Sequence, residues 1–123
     1  MAAPAGPTLD GPLAVFMVFT MKRPTSARKA DFAPYKTPDL SKLCRSTEDA
    51  CTEAGLWADD ARVSEYVRLA KVWTGYDDDA LETPGVLVAA IEKKERWPRE
   101  LSELITVTLG HHRQSWKGNL EAT

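Results

Sequence analysis

One continuous apolar run most constrains how this chain folds. The run PLAVFMVF covers residues 12–19 and continues into Thr20 and Met21. It is far shorter than the roughly 20 apolar residues that a membrane-spanning helix needs. Because the run is rich in Val and Phe and is bounded by prolines, it predicts a buried strand. A second apolar run, GVLVAAIE at residues 85–92, predicts another buried strand, and together they indicate a small sheet.

A helix is predicted between these strands. Asp39 occupies the N-cap position and Gly55 the position after the last turn. Small and apolar residues recur between them at three-and-four spacing, as on one face of an amphipathic helix. They are Leu40, Leu43, Cys44, Thr47, Ala50, Cys51 and Ala54. The segment 61–73 suits either a helix or a strand, and the loop and strand that follow it favour the strand.

The size and composition of the chain bound its class. A chain of 123 residues, with 43% apolar and 28% charged residues, predicts one small globular domain of the α/β class. We expect an unordered leader at 1–11, a core at 12–92 and a C-terminal helical extension at 93–123, with its helix at about 99–112. No secretory signal is apparent near the start, so a cytoplasmic protein without a membrane partner is expected.

The two cysteines are predicted to be core residues. Cys44 and Cys51 lie seven residues apart in the predicted helix, or about 10 Å along its axis, and bridged Cα atoms lie within roughly 7 Å. The two thiols therefore cannot form a disulfide with each other. We expect both side chains to pack as small hydrophobes.

Carboxylates flank the predicted helix, with Asp39 before it and the pair Asp59-Asp60 behind it. They suit a Mg²⁺ site, because this ion prefers carboxylates and water as ligands. They also suit a helix cap and a polar turn, and spacing alone favours this second interpretation. A helix of about 14 residues is roughly 21 Å long, and six returning residues span at most about 20 Å. Asp60 therefore reaches Asp39 only along a nearly extended path.

Positive charge is concentrated ahead of Asp39. Residues 21–45 carry seven Lys and Arg against two Asp, a formal charge of +5, although the whole chain has a net charge of -2. The proline-rich part of this segment predicts an extended, mobile basic loop. A solvated loop and a nucleic-acid contact both remain open. Further along, Asp77, Asp78 and Asp79 form an acidic tip, for which a solvated loop is favoured over a cation site.

The run PDLSKLCRSTEDACTEAGLWADDARV, residues 38–63, resembles the signature of the RusA family of Holliday-junction resolvases. That signature has an Asp-Leu-Asp, a helix with a basic residue, an Asp-Ala-Leu, a Gly-hydrophobic-Trp, and an Asp-Asp before a strand. The resemblance extends over about residues 13–91. It implies a RusA-like mixed sheet packed with helices, a homodimer, and Mg²⁺-dependent cutting of four-way DNA junctions, with Mn²⁺ as a substitute. It also implies a recombination and repair role in a bacterial or phage-infected cytoplasm.

Carried over by position, the resemblance assigns roles to individual residues. Asp39, Asp59 and Asp60 would bind the metal ion. Asp39 and Asp60 would be catalytic together with Arg45, which stands where the family has a helical lysine. The ion and carboxylates would orient a water for attack on the phosphodiester, and Arg45 would steady the phosphate. Phosphate contacts are expected from Lys22, Arg23, Arg28, Lys29, Lys36 and Lys42.

Two differences from the family pattern leave more than one function open for this chain. Ser41 stands where the family has its second aspartate, and a neutral hydroxyl is a poorer Mg²⁺ ligand than a carboxylate. The alternative function is therefore a junction-binding protein with weakened catalysis. Family members also have a further strand and helix before the first strand here, so an N-terminally shortened chain is expected. A third hypothesis is a small interaction module that recruits a protein partner through its terminal helix.

Overall fold

The structure is a computed structural model that describes residues 6–99 of the chain. Its elements are, in chain order, β1 (Leu13–Met21), α1 (Leu40–Glu53), a 3-10 turn (Asp60–Arg62), β2 (Val63–Trp73) and β3 (Gly85–Glu92). The predicted α/β class is confirmed. The ambiguous segment at 61–73 forms a strand after its first two residues, as the neighbouring loop and strand indicated.

β1 is the central strand of a three-stranded mixed sheet with the order β2-β1-β3. It pairs in parallel with β2 and antiparallel with β3. Parallel neighbours need a long crossover connection, which α1 and its flanking loops provide. We call the edge of the sheet at Met21, Trp73 and Gly85 the carboxyl edge, and the edge at Leu13, Val63 and Glu92 the amino edge. α1 begins after the carboxyl edge and returns the chain to the amino edge.

Apolar side chains cover both faces of β1, which explains its unbroken apolar run. On one face, α1 and Trp57 cover Leu13, Val15, Met17 and Phe19. A second cluster on the other face contains Phe16, Val18, Val72 and Leu87, against which Ala80 and Leu81 of the β2–β3 loop pack. Fully burying one Val, Leu or Phe side chain stabilises a fold by about 1.5–3 kcal/mol. The predicted buried strands are confirmed at both β1 and β3.

α1 follows its predicted pattern, with Cys44, Thr47 and Cys51 buried against the sheet. Burial raises the pKa of the Cys44 thiol and raises that of Cys51 to about 12, so both behave as core groups. Gly55 ends the helix with a φ of 78°, a left-handed conformation that glycine adopts at little cost. Asp39 occupies the N-cap position, but its side chain makes no capping hydrogen bond.

The predicted leader differs from the structure, because its residues 8–10 are ordered against the turn after α1. The Leu9 amide donates to the Leu56 carbonyl at 3.0 Å, and the Ala58 amide donates to the Leu9 carbonyl at 2.9 Å. The Thr8 hydroxyl donates to the Gly55 carbonyl at 2.8 Å. Leu9 also packs against the core on the α1 side of the sheet, and this burial fixes a segment whose composition indicated disorder.

The basic segment at 22–38 is also not the extended loop that its prolines predicted. The Asp31 carboxylate accepts hydrogen bonds from the Arg28 amide at 3.0 Å, the Arg28 guanidinium at 3.3 Å and the Tyr35 hydroxyl at 3.3 Å. The Arg23 guanidinium donates to the Arg28 carbonyl at 2.6 Å. These short-range bonds fold the segment back on itself at the carboxyl edge.

Two further predictions concern membrane contact and the end of the chain. Within residues 6–99, no helix has the length and apolar character needed to cross a membrane. The predicted helix at about 99–112 lies, beyond Arg99, outside the described residues. The same holds for most of the predicted extension at 93–123, so its helical character stays a prediction.

Candidate functional site

α1 separates the predicted catalytic carboxylates in a single protomer. Asp39 precedes its first turn on the carboxyl-edge side, whereas Asp60 contacts Thr52 in its last turn and precedes β2. The helix has 14 residues and is therefore about 21 Å long. Mg²⁺ needs ligand oxygens at about 2.0–2.1 Å. One protomer therefore does not bring Asp39 and Asp60 around one ion, and no metal-binding group of three His, Cys, Asp or Glu forms within residues 6–99.

Asp39 presents its carboxylate to solvent at the start of α1. Its ammonium neighbour, Lys42, lies one turn later at 4.0 Å, and both side chains are more than half exposed. An ion pair this exposed contributes little to stability. Ser41, which stands where the RusA signature has its second aspartate, is also exposed in this first turn. The start of α1 is therefore accessible to a phosphate, a cation or a second protein chain.

Asp60 is held firmly, in contrast to Asp39. The Thr52 hydroxyl donates to Asp60 Oδ1, and the buried Trp57 indole donates to Thr52 Oγ1 at 2.9 Å and to Asp60 Oδ1 at 3.3 Å. The Thr52 hydrogen bond is the main cause that lowers the pKa of the Asp60 carboxyl, helped by Trp57 and by the positive charge of Arg45. Asp60 is therefore ionised at neutral pH and has a fixed orientation at the amino edge.

Arg45 lies on the exposed surface of α1, and its positive charge helps to lower the pKa of the Asp60 carboxyl. Its predicted role in steadying a phosphate stays a prediction. Asp49, one turn further on, lies within hydrogen-bonding reach of the same carboxyl group. Asp49 is not among the site residues predicted from the sequence. Its spacing of three residues from Thr52 was the available signal, because positions i and i+3 share a helix face.

Asp59 has a local structural role. It is the N-cap of the 3-10 turn, and its carboxylate accepts a hydrogen bond from the Ala61 amide at 2.7 Å. This geometry is the polar turn that was one of the two alternatives for the Asp59-Asp60 pair. The side chain remains exposed, so its predicted role as a metal ligand stays a prediction.

Most of the predicted phosphate-binding residues are exposed on or near the folded basic segment. They are Lys22, Arg28, Lys29, Lys36 and Lys42. Arg23 is different, because its guanidinium lies 5.3 Å from the centre of the Trp73 ring and 5.2 Å from that of Tyr76. Cation–π contacts of this kind, together with its bond to the Arg28 carbonyl, make Arg23 a support for the loop.

An aromatic surface lies beside these cations, and the sequence analysis missed it. Phe32, Tyr35 and Tyr76 are the exposed large apolar side chains of the described chain, at 77%, 59% and 49% exposure. Tyr76 packs edge-on against Trp73, with ring centres 5.8 Å apart. The sheet brings the end of β2 next to the segment after β1, so residues distant in sequence share the carboxyl edge.

In the acidic tip after β2, carboxylates bind an arginine side chain of the same chain. The Arg68 guanidinium binds Asp77 at 2.9 and 3.0 Å and also contacts Asp79. The hydrogen bond from Arg68 is the main cause that lowers the pKa of Asp77. The side chains of Arg68, Asp77 and Asp79 are mostly buried, so this tip is a packed ion-pair network and not the solvated loop that was favoured.

No protein-family model matches this chain, and no curated protein matches it. The likeness of residues 38–63 to the RusA signature therefore remains a prediction from the sequence.

Proposed function

We propose that the protein is a structure-specific DNA endonuclease that cuts four-way junctions as a homodimer and requires Mg²⁺. One observation carries the proposal. The exposed Asp39 carboxylate lies at the start of α1, directly after a folded segment with exposed Lys and Arg side chains. Cations at this position attract DNA phosphates without reading sequence, and they place a phosphate beside a carboxylate.

The homodimer follows from the separation of the carboxylates. The two ends of α1 are about 21 Å apart, so a single protomer does not fit one Mg²⁺ ion at Asp39 and Asp60. A two-fold axis across α1 would set two such helices antiparallel. Asp39 of one protomer would then face the partner's Asp60, and the dimer would contain two equivalent sites. The metal requirement is proposed only for this dimer.

The exposed charges of α1 support an antiparallel pairing of helices. Lys42 and Arg45 lie in its first half, and Asp49 and Glu53 lie in its second half. This order opposes the helix dipole, which favours acidic residues at the start and basic residues at the end. Helix stability therefore does not explain the order. In an antiparallel pair, each basic half meets the acidic half of the other helix, and this complementarity favours the pairing.

Cleavage of a labelled four-way junction tests the proposal. The purified protein is incubated with the junction or with a linear duplex, in Mg²⁺ or Mn²⁺. We expect paired cuts in the junction alone, with loss of product in Asp39→Asn and Asp60→Asn. Asp78→Asn is the matched control, because it removes one exposed carboxylate outside the proposed site. Products that persist in both Asp39→Asn and Asp60→Asn would refute the nuclease assignment.

A mixture of two inactive variants tests the shared site. In a mixed dimer of Asp39→Asn and Asp60→Asn chains, one of the two proposed sites carries both substitutions and the other carries none. We therefore expect the mixture to nick one strand of the junction, although each variant alone is inactive. Sites formed within one protomer would all carry a substitution, so a mixture that remains inactive would refute the composite site.

A second candidate function is junction binding without efficient cutting. Ser41 favours it, because this exposed hydroxyl replaces a carboxylate in the first turn of α1. Asp60 favours it as well, because one of its oxygens already accepts hydrogen bonds from Thr52 and Trp57. Junction binding should then survive EDTA, and Ser41→Asp should gain cleavage. Failure of both results would count against this function.

A further inference from the structure

A cavity of about 220 Å³ opens at the carboxyl edge, next to the folded basic segment. Its walls include the side chains of Met21, Pro34, Tyr35 and Trp73, and the lysines Lys22 and Lys36 also line it. The site therefore combines aromatic and aliphatic walls with two cations and with Asp31, whose carboxylate is bound by Arg28 and Tyr35. Neither the RusA-like signature nor the predicted carboxylate site includes this cavity.

We propose that this cavity binds one unpaired nucleobase of DNA at the branch point of a junction. The inference rests on the proposed DNA function and adds a base-binding site to it. Every nucleobase has a π face that stacks on an aromatic side chain, largely independently of sequence. The exposed Tyr35 provides such a side chain in the cavity wall. Lys22 and Lys36 line the same cavity and supply positive charge that attracts the phosphates next to the base.

The exposure of the surrounding aromatic side chains supports this assignment. Tyr35 is 59% exposed and lines the cavity, and Tyr76 is 49% exposed and contacts Trp73 of its wall. Phe32, at 77% exposure, belongs to the same basic segment as Tyr35. Single exposed apolar residues are ordinary, whereas several together indicate a binding surface. Exposed lysines accompany these rings, which gives the surface the charge that attracts a polyanion.

The geometry of the basic segment holds the cavity open in the absence of ligand. The Tyr35 hydroxyl donates to Asp31 Oδ2 at 3.3 Å, which restricts the orientation of its ring. The Lys71 ammonium donates to the carbonyls of Lys36 and Pro38 at 2.7 and 2.9 Å, which ties the end of the segment to β2. A preformed aromatic wall binds a base with a smaller loss of conformational entropy than a flexible wall.

Paired junctions test the proposal. One junction carries a single unpaired nucleotide at the branch point, and the other carries an abasic site at the same position. We expect the wild-type protein to bind the first about 5- to 150-fold more tightly, the range of one base stacked on an aromatic ring. Tyr35→Leu should lose this preference, and Tyr35→Trp should retain it. Both changes are at an exposed position and leave the buried core intact.

Substitutions of two separate lysines distinguish phosphate binding from base binding. Lys36→Ala should weaken binding to both junctions equally and reduce the slope of the salt dependence by about one. Lys94→Ala is the matched control, because this exposed lysine follows β3 at the amino edge. It should leave both the affinity for the two junctions and the slope of the salt dependence unchanged.

Each result decides between the inference and the function on which it rests. Equal and tight binding of the wild-type protein to the two junctions would refute the base site and leave the junction function intact. Absence of junction binding would refute both. A Tyr35→Leu protein that loses affinity for both junctions equally would also overturn the base site, because its contact would then be to the DNA backbone.

Discussion

The Thr52 hydroxyl joins the buried core to a carboxylate at the amino edge, and its removal gives a sharp test of the structure. Its oxygen accepts a hydrogen bond from Trp57 Nε1 at 2.9 Å and donates its proton to Asp60 Oδ1. Thr52→Val keeps the volume and the branched shape but removes both bonds. The indole N–H of the fully buried Trp57 then retains only its 3.3 Å hydrogen bond to Asp60 Oδ1.

The expected loss of stability follows from the two bonds. A hydrogen bond to a charged group contributes about 1.5–3 kcal/mol, and a neutral one contributes about 1 kcal/mol. Asp60 is partly exposed, so solvent screening moves the charged bond to the lower end of its range. We expect Thr52→Val to lower the free energy of unfolding by about 1.5–2.5 kcal/mol. This corresponds to a fall in Tm of about 6–10 °C for a domain of this size.

The pH dependence of this loss has a definite sign. The Thr52 hydrogen bond lowers the pKa of Asp60 from its usual value of 3.8. A carboxyl group with a lowered pKa contributes stability above its unfolded-state pKa and loses that contribution as the pH falls through its folded-state pKa. The difference between wild type and Thr52→Val is therefore complete at neutral pH and shrinks on acidification below about pH 4.

Urea unfolding followed by circular dichroism, at neutral and at acidic pH, measures the loss in the free energy of unfolding and its pH dependence. Thr52→Ser is the matched control, because serine keeps the hydroxyl group that binds Trp57 and Asp60. We expect Thr52→Ser to retain most of the neutral-pH stability that Thr52→Val loses. Equal stability of the two variants at neutral pH, or a difference that does not change on acidification, would refute the proposed role of this hydroxyl.

Three other predictions concern the core and the acidic tip. Arg68→Leu leaves Asp77 and Asp79 without their shared cation and should lower the free energy of unfolding by about 1–3 kcal/mol, measured in urea; unchanged stability would contradict the network. Phe16→Ala removes a side chain that is 1% exposed and should lower the free energy of unfolding by about 3–5 kcal/mol in the same assay. A loss below about 1 kcal/mol would contradict the burial of Phe16 in the core. Burial raises the pKa of the Cys51 thiol to about 12, so mass spectrometry after thiol labelling should find it unmodified in the folded protein and modified in urea; rapid labelling of the folded protein would contradict its burial.

The main elements were predictable because their signals are local. The apolar run of β1 reflects a strand covered on both faces, and the spacing from Leu40 to Ala54 reflects one buried face of α1. Gly55 indicated the end of the helix because glycine adopts the left-handed conformation at little cost, a property of this single residue. Features of this kind depend on neighbouring residues in the sequence and need no knowledge of the sheet.

The features that sequence analysis missed depend on contacts between distant segments. Leu9 is ordered by the turn after α1, and Tyr76 joins the basic segment only because β2 pairs with β1. The basic segment folds around Asp31, although its prolines indicated an extended chain. The magnesium prediction depends on whether a second protomer bridges the length of α1.

The central position of β1 has a consequence for biosynthesis. Leu13 pairs with both Val63 and Glu92, so β1 leaves the ribosome before either of its neighbours and lacks both pairings until β2 and β3 have been translated. Until then, its nearly unbroken apolar surface and its unpaired amides have no native cover. Aggregation of the nascent chain therefore competes with folding until β2 and β3 pair with β1.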